Sequence, residues 1–189
     1  MLVTTSILIE QLHNYSDPYG RIRRLTYYGE LIPVVKGLYE TDPDTPGHLL
    51  AQSIYGPSYL SFNYALSMYG LIPEAVCTYT SATCCKNKRK EYTNNFGSFT
   101  YRDVPADAFP LELYLKDDSG RSYWIAGPEK ALCDKLYSLP PARNLAELRS
   151  LLFDDMRIDE EDYRNLDPEL IRALAPRYHC KNLDLLPKI

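Results

Sequence analysis

The sequence predicts an α+β chain: a short N-terminal winged-helix-like module followed by a larger mixed α/β domain with a helical C-terminal region. Three observations predict it. A helix-period segment at residues 18–28 runs into two short apolar stretches broken by Pro33 and Gly37. The middle of the chain carries β-branched and aromatic runs separated by turn formers, and the stretch from Pro128 returns to helical spacing.

Residues 5–13 place Ile9 and Leu12 three apart, with Leu8 beside them, behind Thr5 or Ser6 as an N-cap. A short first helix is expected there. Asp17 and Pro18 read as an N-cap followed by proline at the first helical position, where the missing N–H has no partner to lose. The helix they open turns Ile22 and Leu25 inward, sends Arg21 and Arg24 toward other faces, and stops at Gly29. The apolar runs of 30–39 then suit a small hairpin whose tip or edge carries Lys36. Helix followed by hairpin is the tail of a winged helix-turn-helix. Residues 41–47, dense in turn formers, set the boundary between a module at 1–42 and a domain at 48–189.

Residues 49–55 predict a short helix stopped by Gly56 and Pro57. A helix capped by Ser58 follows, with Tyr59, Phe62, Leu66 and Tyr69 at helical spacing and Gly70 as its end. Strands are expected at 77–84 and 96–104, the second with Phe99 and Tyr101 on one face, joined by a basic and flexible connection at 86–95. Residues 111–116 and 121–125 predict a hairpin across 117–120. From Pro128 a helix aligns Ala131, Leu132, Leu136 and Leu139 until Pro140 and Pro141 forbid continuation. Acidic helices are expected at 144–153, 159–165 and 168–175.

Composition narrows the function class. A chain of 189 residues holds one sizeable core, or a small module plus one domain. No apolar run approaches the roughly 18 residues a membrane span needs, and the start lacks a basic leader and cleavage site, so no membrane partner and a cytoplasmic location are expected. A net charge of −4 argues against a protein that coats nucleic acid indiscriminately and makes local patches decisive. The five cysteines are odd in number and form no C-x-x-C, which supports neither a disulfide framework nor a zinc site. If strand alternation reaches the Cys84–Cys85 pair, one is buried and the other exposed. His13, His48 and His179 lack ligand spacing. Tyrosine, at 17 residues against 5 phenylalanines, offers apolar area with a polar tip suited to partner surfaces.

Two basic sets are candidates for DNA contact. Arg21, Arg23, Arg24 and Lys36 sit on the predicted second helix and hairpin, the parts that read bases and phosphates in winged helices. Lys86, Lys88, Arg89 and Lys90 form the densest positive run, suited to a phosphate backbone or an acidic partner. Carboxylates and a lysine at Asp103, Glu112, Glu129 and Lys130 invite comparison with a metal-dependent nuclease, yet their spacing forms no tight acid-x-lysine strand motif. No glycine-rich phosphate loop and no nucleophilic triad can be assembled, so no catalytic residue, metal ligand or cofactor is assigned.

The run YLSFNYALSMYGL at 59–71, the run PEKALCDKLY at 128–137 and the preceding KGLY at 36–39 together resemble the AbiEi-type antitoxins, predicted transcriptional regulators of type IV toxin-antitoxin and phage-defence loci. The similarity spans residues 15–140. Its matching positions are Lys36, Gly37 and Tyr39; Tyr59, Ser61, Ala65, Leu66, Gly70 and Leu71; and Pro128 to Leu132 with Asp134. Tyr64 and Tyr69 stand where the family usually has a serine and a histidine, and Gly127 where it has a threonine. The resemblance implies a DNA-binding autorepressor acting on the operator of its own operon. It also implies a larger domain that counters a nucleotidyltransferase-like toxin, with or without direct contact. A protein-interaction module without sequence-specific DNA binding is the alternative, and a metal-dependent nuclease the third reading.

Overall fold

The computed structural model describes residues 1–189 and has an α+β architecture. It begins with β1 (Leu2–Thr4), α1 (Thr5–Gln11), α2 (Pro18–Tyr27), β2 (Ile32–Val35) and β3 (Leu38–Glu40). The three strands form an antiparallel sheet in the order β1-β3-β2. Strand β1 has no period to betray it, being only three residues. It shifts the expected N-cap of α1 from Thr5 or Ser6 to Thr4, whose hydroxyl accepts from Ile7 N at 3.4 Å. Asp17 caps α2 as expected, accepting from Gly20 N at 2.8 Å. Val3, Leu8, Ile22 and Leu31 make a small core beneath these helices, whereas Ile32, Val34 and Leu38 join the larger core of the rest of the chain. The hairpin thus belongs to both.

A 3-10 turn at Gly47–Leu49 leads into α3 (Ala51–Ile54), then β4 (Tyr59–Leu60), α4 (Phe62–Met68), β5 (Thr78–Thr83), β6 (Lys90–Asn94), β7 (Gly97–Asp103), β8 (Leu113–Asp118) and β9 (Arg121–Ala126). The strands form a six-stranded mixed sheet in the order β6-β7-β5-β4-β9-β8. Two expectations change here. Residues 59 and 60 are strand, not the start of a helix, because Leu60 sits opposite Ser81 on one side and Ile125 on the other. Ser58 is accordingly no cap, and α4 begins only after Ser61. Half of the connection at 86–95 is β6, paired with β7 from Lys90↔Tyr101 to Asn94↔Gly97. Because β5 ends at Thr83, alternation does not extend to the cysteine pair: Cys84 is half-buried and Cys85 exposed in the left-handed region at φ 58.

Helix α5 (Pro128–Tyr137) follows β9 directly and is buried along most of its length. Gly127 precedes it, and a Cβ there would lie 2.7 Å from the Tyr114 ring. The chain ends in α6 (Leu145–Ser150), a π turn at Leu151–Asp155, α7 (Glu160–Arg164), α8 (Pro168–Leu174) and α9 (Lys181–Leu185). Helix α9 was not expected. No helix is long and apolar enough to cross a membrane.

Candidate nucleic-acid interface

Helix α2 owes its exposed face to a sequence without acidic residues, PYGRIRRLTY. Ile22 is buried and Leu25 packs beside it, so Tyr19, Arg23 and Tyr27, four residues apart, line the opposite face. Tyr19 is 62% and Tyr27 84% exposed. Arg23 and Lys36 line one groove of about 330 Å³ between α2 and the hairpin, floored by Ile22, Val35 and Tyr39. Two of the predicted cations therefore meet.

The other two differ. Arg24 is exposed in the last turn of α2, where a cation also complements the helix carbonyls. Arg21 turns back, its guanidinium 5.6 Å from the centre of the Tyr15 ring. Sequence reasoning missed the tyrosines beside these arginines. Of the 17 tyrosines, six are exposed, and four of those, Tyr15, Tyr19, Tyr27 and Tyr28, belong to this short segment. For Tyr19 and Tyr27, the four-residue spacing on either side of Arg23 is the signal the sequence carries. Most of the rest stack inside, as Tyr55 against Tyr101 at 5.4 Å and Tyr79 against Phe99 at 5.1 Å.

The second basic run is not one patch. Lys86 is pinned, donating from Nζ to Gly56 O at 3.1 Å over the Tyr55 ring, while Lys86 N and Asn87 N donate to the Asp103 carboxylate. Lys88 is exposed and Lys90 half-buried at the start of β6. Arg89 enters a separate cleft between β7 and the end of α5. At its far end β6 meets the N-terminal hairpin, where Asn94 Nδ2 donates to Val34 O at 2.8 Å. The length of β6, about 13 Å, separates that junction from Lys90.

The two long motif runs converge on a buried polar knot. Lys130 and Asp134, both without exposed side-chain area, pair at 2.7 Å one turn apart on α5. Asp134 also accepts from Ser61 Oγ at 2.6 Å, Tyr59 OH at 3.0 Å and Tyr178 OH at 2.6 Å. Burial, then the Asp134 charge, pushes both tyrosine hydroxyls well above their ordinary range, so both remain protonated donors. The arrangement is closed: every oxygen of Asp134 is engaged and no substrate can reach it. Nor do the nuclease candidates assemble. Asp103 accepts from Thr83 Oγ1 and loop amides, Glu112 accepts from Tyr114 OH, and Glu129 accepts from Asp167 N at 2.9 Å. No three carboxylates, histidines or cysteines come together as a metal-ligand set.

No protein-family model matches the chain, and no curated protein does. Among solved structures, the crystal structure of the RV2827C protein from Mycobacterium tuberculosis is similar over 94% of this chain and 67% of that one, with 19% sequence identity and a TM-score of 0.52. At that identity the likeness is one of fold.

Proposed function

We propose that the protein is a DNA-binding antitoxin and autorepressor of the AbiEi type, with α2 and the following hairpin as the DNA-reading surface and the larger domain acting against a nucleotidyltransferase-like toxin. The observation that carries the DNA half is the shared groove of Arg23 and Lys36 beside exposed Tyr19 and Tyr27. A strand, two helices and a hairpin in the sheet order β1-β3-β2 support the reading, since a second helix and a wing are what such modules present to DNA. The order of the motif runs supports the antitoxin half by resemblance. The buried knot carries the scaffold of that half and no chemistry.

A gel shift on the DNA upstream of the protein's own operon tests the proposal. A salt-sensitive, sequence-dependent complex is expected, and its absence sinks the DNA half. The exposed tyrosines favour a second reading, a module that docks a protein through its aromatic face. Replacing Arg21, Arg23 and Arg24 together abolishes repression under the first reading. Under the second, only toxin neutralisation responds, and it responds to Tyr19 and Tyr27.

A further inference from the structure

The cleft that receives Arg89 lies outside the α2 groove and is not used by the knot. It has a volume of about 200 Å³, between the β6–β7 edge of the large sheet and the C-terminal end of α5. Sheet register builds one wall. Glu91 lies opposite Thr100, so Thr100 and Arg102 share a face with Glu91, and Arg89 immediately precedes the strand on that same alternation. Lys135 comes from α5, whose end is fastened to the wall by Arg102 Nη1 donating to Ser138 O at 2.9 Å. Asn63 completes the lining from α4.

Three cations thus converge, and none of them makes an ion pair. Lys135 is half-buried, and burial alone depresses its pKa, with no carboxylate to offset the cost. The single acid in the cleft, Glu91, is exposed and unpaired, so the lining carries an excess of two positive charges. Such an arrangement is unfavourable while empty and favourable around a compact dianion: two guanidinium groups offer paired N–H donors, and an ammonium supplies a point charge. The volume of about 200 Å³ accommodates a phosphate group.

The geometry points to a phosphate-binding site held by Arg89, Arg102 and Lys135, which takes inorganic phosphate or the terminal phosphate of a monoester. It is independent of the DNA-reading surface. Isothermal titration of the full chain with inorganic phosphate, against chloride at matched ionic strength, tests it. Saturable binding is expected, weakened about tenfold or more by Arg89→Gln and by Lys135→Met and unchanged by Arg23→Ala. Arg89→Gln is the decisive variant, because Arg89 is exposed and folding does not depend on it. A parallel titration with adenosine monophosphate distinguishes the sources: equal binding identifies an ester's terminal phosphate, and binding of inorganic phosphate alone identifies the free ion. Absence of saturable binding, or binding that Arg89→Gln and Lys135→Met leave unchanged, overturns the proposal.

Discussion

Arg121 Nη1 lies 2.7 Å from the carboxylate of Glu40, joining the last residue of β3 to the first of β9 across 81 positions of sequence. Glu40 has no exposed side-chain area, and the N–H groups of Thr41 and Asp42 and the ammonium of Met1 also donate to it. Burial by itself would raise its pKa. Arg121 and the other donors outweigh that and hold it at about 2, against an ordinary 4.5. The folded value lies below the unfolded one, so this stabilisation is complete above about pH 4.5 and is lost as pH falls toward 2. Allowing for the part-exposed guanidinium, it amounts to on the order of 2 kcal/mol. Unfolding by urea between pH 6 and 3 is expected to show a steeper acid loss for the native chain than for Glu40→Gln. Parallel curves would mean that the clamp contributes nothing.

Removing Asp134 leaves Lys130 buried without a counter-charge. Asp134→Ala is expected to destabilise by about 3–5 kcal/mol, the usual consequence of breaking a buried pair from one side. Ser61→Ala deletes one hydrogen bond to a charged acceptor and is expected to cost about 1.5–3 kcal/mol. Urea midpoints measure both. An Asp134→Ala chain within about 1 kcal/mol of the native one would contradict the scaffold role assigned to the two motif runs.

Asn182 is a quieter fastening. Almost wholly buried, it accepts from Ala142 N at 2.7 Å and donates to Leu136 O at 2.9 Å and Pro140 O at 3.1 Å, closing the turn after α5. Asn182→Ala strands these backbone groups away from water. A loss of at least about 2 kcal/mol is expected in thermal or urea unfolding. Hydrogen exchange that speeds up at Ala142 while α5 keeps its native protection would locate the defect in the turn.

The elements that local chemistry decides were legible: Asp17 with Pro18 opens α2, Gly29 closes it, and the residues from Pro128 to Pro140 delimit α5. What tertiary partners decide was not. Tyr59, Phe62, Leu66 and Tyr69 keep helical spacing, yet the slot between β5 and β9 makes Tyr59 and Leu60 strand. In β6 the alternation was present but hidden by charge. At the candidate interface, the sequence places Arg23 and Lys36 on a helix and a hairpin. Their meeting depends on how α2 packs over Val35 and Tyr39. Nothing in the spacing of Lys130 and Asp134 distinguishes a surface pair from a buried one. That distinction comes from Tyr59, Ser61 and Tyr178 closing over them.

The proposed DNA reading has α2 and the hairpin hold DNA through Arg23 and Lys36. Fluorescence anisotropy on upstream operon DNA, titrated over salt, tests it most directly. Tight, sequence-dependent binding that weakens as salt rises is expected, with Arg23→Ala and Lys36→Ala each weakening it and Lys36→Ala lowering the salt slope by about 1. Binding by both variants with native affinity and native salt slope would contradict it.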